Sequence, residues 1–172
     1  MNSSAGQWLQ VQISGFRALK GRVVTGWRAC EMALGGDEDG PPEALIWHHP
    51  AVPMLQLYKL DIELADGLVA VRIAQADDIW GLYLPTQASD LGPDLLGSIF
   101  RARPLSELPT GRIDGVEVAV EDDMVASVDL IVAGRRVSLV TGEVYEEAEG
   151  FRVERCDESI LVQVDGEFPA TP

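Results

Sequence analysis

Histidine is almost missing from this chain. The two that occur, His48 and His49, are neighbours. A Ser–His–Asp triad or a histidine general base therefore has little to draw on. Adjacent side chains on an extended segment point to opposite faces, so the pair is poorly placed to grip one metal ion. A zinc site would need further ligands, of which Glu43 is one candidate. A turn ahead of Pro50 is the simpler role. Cysteine is equally scarce. Cys30 and Cys156 lie far apart and form no metal-type pair, which leads us to expect buried thiols in a reducing compartment, with a single disulfide left open.

Positive charge is the next shortage. Thirteen Lys and Arg stand against 28 Asp and Glu, a net charge of −15. A field of that sign repels nucleic acid and anionic lipid and favours basic protein partners, although acidity also serves solubility alone. No apolar run approaches the length of a membrane span, and residues 1–12 lack a basic stretch followed by an apolar core, so the expectation is a soluble cytoplasmic protein with no membrane partner. The glycines are scattered, without GxGxxG, GxxxxGK[ST] or GxSxG. The acidic run Asp37-Glu38-Asp39-Gly40 lacks the spacing of a calcium loop and is followed by two prolines, which reads as a solvated loop. No metal, cofactor or catalytic set is assigned on this basis.

What the chain has in quantity is alternation. Val116, Val118 and Val120, then Val128, Leu130 and Val132, then Val137 and Leu139, then Ile160, Val162 and Val164 place apolar residues at every second position, with turn residues between the runs. That is the period of strands with one buried face. In the first half, Tyr58, Leu60, Ile62 and Leu64 alternate with Lys59, Asp61 and Glu63. Asp66-Gly67 signals a hairpin, and Val69, Val71 and Ile73 return. Asp77-Asp78 turns the chain into a third run over 79–84. Leu9, Val11 and Ile13 predict a first strand. Residues 23–34 are ambiguous between a strand and, over 29–34, a helical turn. Pro93 followed by Asp94, with Leu95, Leu96, Ile99 and Phe100 on one face, predicts a short helix over 93–102.

The expected architecture is a single domain over 1–172. It is mainly β, with antiparallel meanders packed as a sandwich or open half-barrel. A first β-rich half spans about 7–85, a connecting loop and helix 86–112, a second meander 113–165, and a frayed tail 166–172. The two halves share a faint likeness around Asp61–Gly67 and Asp129–Gly134, which hairpins with DG-type turns also show by necessity.

The most suggestive cluster is Glu143, Tyr145, Glu146 and Glu147, with Asp157 and Glu158 close behind in a meander. If Val144 faces inward, Glu143 and Tyr145 share the opposite face. Such acids could discourage edge-to-edge pairing, form a ridge that docks a partner's Lys and Arg, or act as paired carboxylates in acid–base chemistry. Trp80 and Tyr83 fall on opposite faces by parity, and either could anchor a partner or fill the core. The first functional expectation is a non-enzymatic acidic domain that neutralises a basic protein, as immunity proteins do by mimicking phosphate charge. The alternatives are a small hydrolase or sugar-modifying enzyme using Glu143 with Asp157 or Glu158, and a structural subunit forming a homodimer. The enzyme reading requires a concave pocket and a carboxylate with a raised pKa.

Overall fold

The computed structural model describes residues 4–87 and 99–168. Its centre is a closed, all-antiparallel barrel of six strands: β1 (Val23–Met32), β4 (Leu55–Leu64), β12 (Ser159–Val164), β10 (Arg135–Glu147), β9 (Met124–Val132) and β8 (Gly111–Glu121), in that order around the wall. β1 runs beside β4 over most of its length and meets β8 at Val23–Arg112 and Val24–Gly111, which shuts the ring. On the other side, β12 pairs with β4 through Ile160–Leu57 and Val162–Leu55. The two halves of the chain thus zip together at both seams. They do not form the expected sandwich or open half-barrel, because closure gives every wall strand two neighbours and removes the edges that open meanders would leave.

The alternating residues do what their period requires. Val128, Leu130, Val132, Val137, Leu139, Ile160 and Val162 are buried in one core with Leu57, Leu60, Ile62 and Trp27. Two hairpins of the second half turn through Asp122–Asp123 (φ 47° and 62°) and Ala133–Gly134 (φ 50° and 80°). Positive φ at both central residues is the twist that a two-residue connection between right-twisted strands demands.

Around the barrel lie smaller elements. β5 (Gly67–Ala76) and β6 (Ile79–Tyr83) form a hairpin on β4, and β6 packs across β9 and β10. β7 (Phe100–Pro104) pairs with β1, and β11 (Gly150–Arg155) pairs with the far half of β10. A two-stranded ribbon, β2 (Gly35–Gly36) with β3 (Leu45–Ile46), flanks a short 3-10 turn at Pro42–Ala44. A second apolar cluster, Leu34, Val52, Met54, Val144 and Leu161, lies with Ile46, Phe151, Val153 and Phe168.

Three expectations change. Leu9, Val11 and Ile13 lie in helix α1 (Ser4–Arg17). Leu9 and Ile13 are four apart, a spacing that strand and helix periods share, and Gln12 and Phe16 extend the buried face in helical steps while Val11 is 64% exposed. The helix packs on β8 and β9 and adds Leu9, Ile13 and Phe16 to the core. The 93–102 helix lies largely outside the described residues, but its last residues, Phe100 to Ala102, are strand. They pair with Met32, Glu31 and Cys30 of β1. That register brings Arg101 and Arg103, two apart on one face, onto the buried Glu31 carboxylate at 2.7 and 2.6 Å. Of the tail, Gly166 accepts a hydrogen bond from Arg136 and Phe168 packs on the second cluster, while 169–172 lie outside the described residues. The 29–34 ambiguity resolves as strand through Met32.

Cys30 is buried and Cys156 half-buried, and both thiols are unpaired. His49 Nδ1 accepts from the Ala51 backbone N–H at 3.1 Å, and its ring rests 4.8 Å from that of Phe151, as expected of a residue holding a turn. His48 Nε2 lies 3.4 Å from Arg101. Among the described residues no helix is long and apolar enough to cross a membrane.

Candidate functional site at the barrel mouth

Strand β10 outruns its neighbour. Its ladder with β9 stops at Val140–Ser127, yet the strand continues to Glu147. Val137 and Leu139 line the barrel interior, Thr141 makes the last barrel pair with Ile160 of β12, and Glu143 and Tyr145 continue that same face beyond it. Thr141 is fully buried, and its Oγ1 donates to the Trp80 carbonyl at 3.0 Å, which docks β6 on the rim. Glu143 and Tyr145 therefore share a face, as expected. It is the interior face carried out to the mouth, while Val144 turns the other way into the second apolar cluster.

The chain between β11 and β12 brings more acids to this place. Cys156 takes a left-handed conformation (φ 60°), and its N–H donates to the Thr141 carbonyl at 2.8 Å. Glu158 then bridges to Gly142. Gly142 is needed because a Cβ there would collide with the Glu154 carbonyl oxygen and with Leu161 Cδ1. The result places Asp157 against Tyr145. The Tyr145 hydroxyl donates to Asp157 Oδ2 at 2.6 Å and lies 3.4 Å from Glu143 Oε2, and Asp157 Oδ1 accepts the Glu158 N–H at 2.8 Å.

Electrostatics follow from this packing. Burial of the Glu143 carboxyl, then the charges of Asp157 and Glu158, push its pKa up to about 7, against a smaller opposing pull from the Tyr145 hydroxyl. The hydrogen bond to Asp157 raises the Tyr145 pKa, because ionisation would remove the proton being shared, and burial adds to the effect.

Glu143 opens onto a pocket of about 360 Å³ that it lines with Glu158, Ser159, Trp80, Tyr58 and Phe100, the remaining wall being Met32, Ile73 and Ile99. Tyr58 owes its place to a β-bulge: Cys30 faces Lys59 and Glu31 faces Leu57, so Tyr58 is the extra residue of β4. Its ring meets Phe100 edge-on, with centroids 5.4 Å apart. Ser159 is 1% exposed, and its Oγ has no hydrogen-bond partner among the described residues.

The structure brings together Glu143, Glu158 and Trp80 on the pocket wall, with Tyr145 and Asp157 bonded to one another beside Glu143. Glu146, Glu147 and Tyr83 stand outside this pocket, although Glu146 shares a neighbouring one with Glu143 and Tyr145. Glu146 Oε2 accepts the Gly36 N–H at 2.8 Å, and Glu147 pairs with Arg152 at 2.8 Å. Tyr83 packs on Trp8, 6.4 Å between centroids, in a different cleft with Val11 and Gln12. Sequence reasoning did not single out Ser159, Phe100 or Tyr58 as site residues. Parity put Tyr58 with the core face of β4, and nothing local announces the bulge that turns it outward.

Among the described residues no three His, Cys, Asp or Glu side chains are arranged to hold a metal ion. None of the known protein-family models matches the chain, and neither does any curated protein or solved structure.

Proposed function

We propose that the barrel mouth binds a small organic molecule and that Glu143 exchanges a proton with it. One observation carries this reading: a half-buried carboxyl with a pKa of about 7 stands in the wall of a concave, partly aromatic pocket. A group that titrates near neutrality both gives and accepts protons readily, which is what acid–base catalysis requires. The pocket volume falls at the lower end of the roughly 300–1,000 Å³ usual for small-molecule sites. Burial, then the charges of Asp157 and Glu158, keep the proton on Glu143, and the Tyr145 hydroxyl, which donates to Asp157 at 2.6 Å, opposes them less strongly.

The expectation of a ridge for a basic protein partner has less geometry behind it. Glu146 and Glu147, which would extend the ridge, are engaged with Gly36 and Arg152. A homodimer has no specific observation in its favour.

The test is a pH titration of ¹³C-labelled glutamate side chains, assigned through Glu143→Gln, together with a fragment set read on the Trp80 indole N–H. A Glu143 midpoint near 7 and fragments that move Trp80 are expected. A midpoint near 4.5, or no fragment that moves Trp80, would remove the proposal.

A further inference from the structure

We infer that the mouth pocket selects an organic cation, a protonated or alkylated ammonium, seated between the rings of Tyr58, Trp80 and Phe100 and facing Glu143 and Glu158. This rests on the reading of the mouth as a ligand site and names the chemistry of its ligand.

The first ground is charge left uncompensated. Elsewhere this fold gives its buried acids arginines: Glu31 has Arg101 and Arg103, and Asp61 has Arg72 at 2.9 Å. Glu143 and Glu158 have no salt-bridge partner among the described residues, and no Lys or Arg lines the pocket. The cations nearby are turned to other work. Arg101 stacks 4.1 Å from the Trp47 ring centroid, and Arg152 lies over Tyr145 and pairs with Glu147 and Glu154. Lys59 stands 5.8 Å from the Tyr58 centroid. The half-buried Glu143 and the exposed Glu158 beside it repel one another, and a positive guest stabilises both.

The second ground is the wall itself. Three aromatic residues line the same pocket as the two acids. Ring faces attract a cation within about 6 Å of their centroids, and carboxylates beside them add to the field. Met32, Ile73 and Ile99 offer apolar contact to alkyl groups. A sugar would need many hydrogen-bonding groups, and this wall offers few beyond the acids and Ser159. An anion would be repelled, and a bare metal ion would gain nothing from the rings.

The third ground is independent of charge. Ser159 lines the pocket, and its buried hydroxyl meets no partner among the described residues. Leaving such a group unpaired costs about 1–3 kcal/mol. The oxygen is itself covered, so a guest N–H or O–H beside the cationic centre satisfies it as the wall gives way around the guest.

The experiment compares choline with its neutral carbon isostere, 3,3-dimethyl-1-butanol, and with methyl glucoside. Binding is read on the Trp80 indole resonance, assigned with Trp80→Phe. Choline is expected to bind at least tenfold more tightly than the isostere, and the ratio to fall towards one in the Glu143→Gln/Glu158→Gln variant, which removes repulsion and keeps shape. Between pH 6 and 8 choline affinity should rise about tenfold as Glu143 loses its proton, with Glu158 and Tyr58 the other titratable groups on the pocket wall, Tyr145 and Asp157 beside Glu143, and Lys59 near the Tyr58 ring. If the isostere or the glucoside binds as well as choline, the cation proposal fails and the ligand site stands. A flat pH response also overturns the cation proposal. If none of the three moves Trp80, the cation proposal falls, and the ligand site stands or falls by the fragment set.

Discussion

The Tyr145 hydroxyl gives its proton to Asp157 Oδ2 at 2.6 Å, while Glu143 Oε2 sits 3.4 Å from the same oxygen. One hydroxyl has one proton, and the shorter contact takes it. Glu143 is left with a long, weak contact and a negative neighbour. That arrangement gives two neighbouring carboxyl groups different surroundings.

Asp157→Asn tests the relationship directly. Removing the charge of Asp157 should bring the Glu143 midpoint down from about 7 while leaving it above 4.5, because burial is the larger cause and remains. Carbon-detected NMR of the glutamate side chains gives the midpoint. No downward movement would mean that Asp157 does not act on Glu143.

Stability against pH offers a second measure. The Glu143 carboxyl is raised from 4.5 in the unfolded chain to about 7 in the fold, so between those values the native state holds more protons. Its contribution is whole below pH 4.5 and is lost as pH rises through 7. Glu143→Gln should therefore flatten the fall in stability from pH 5 to 7 relative to the parent. Above pH 7 it should raise stability by about 1 kcal/mol, a figure held small by solvent screening of a half-exposed group. Thermal melts of both proteins across pH decide it, with a shift of roughly 2–4 °C expected.

Glu31→Ala should cost about 3 kcal/mol, since it leaves Arg101 and Arg103 facing a site that buried their counter-charge. Urea unfolding measures the loss. A cost below about 1 kcal/mol would show Glu107, which also holds Arg103 at 2.6 Å, to be a sufficient partner.

Gly142→Ala should destabilise the fold by about 1–3 kcal/mol, because the new methyl meets the Glu154 carbonyl and Leu161 where the chain passes from β11 to β12. Leu139→Ala, a cavity in the closed core, should cost about 2–5 kcal/mol. The two differ in one readout: Gly142→Ala should also shift the Trp80 and Tyr145 resonances, whereas Leu139→Ala should leave the mouth in register.

Legibility differed by element. From 113 onward, runs such as Val128-Leu130-Val132 carry their own period, and turns such as Ala133-Gly134 carry their own conformation, so strands and hairpins could be read locally. So could the shared face of Glu143 and Tyr145, since side chains alternate whatever the strand pairs with. At Leu9 and Ile13 the local signal failed, because a spacing of four fits both periods and only packing on β8 and β9 chose the helix.

The sequence by itself determined strands, turns and the side of each strand a residue occupies, because those depend on neighbours one to four positions away. Only the tertiary structure decided that the strands close into a barrel, that a bulge turns Tyr58 to the rim, and that Glu143 stands half-buried beside Asp157 and Glu158 without an arginine. Closure, burial and the balance of charge in a pocket are sums over residues far apart in the chain, and no local pattern contains them.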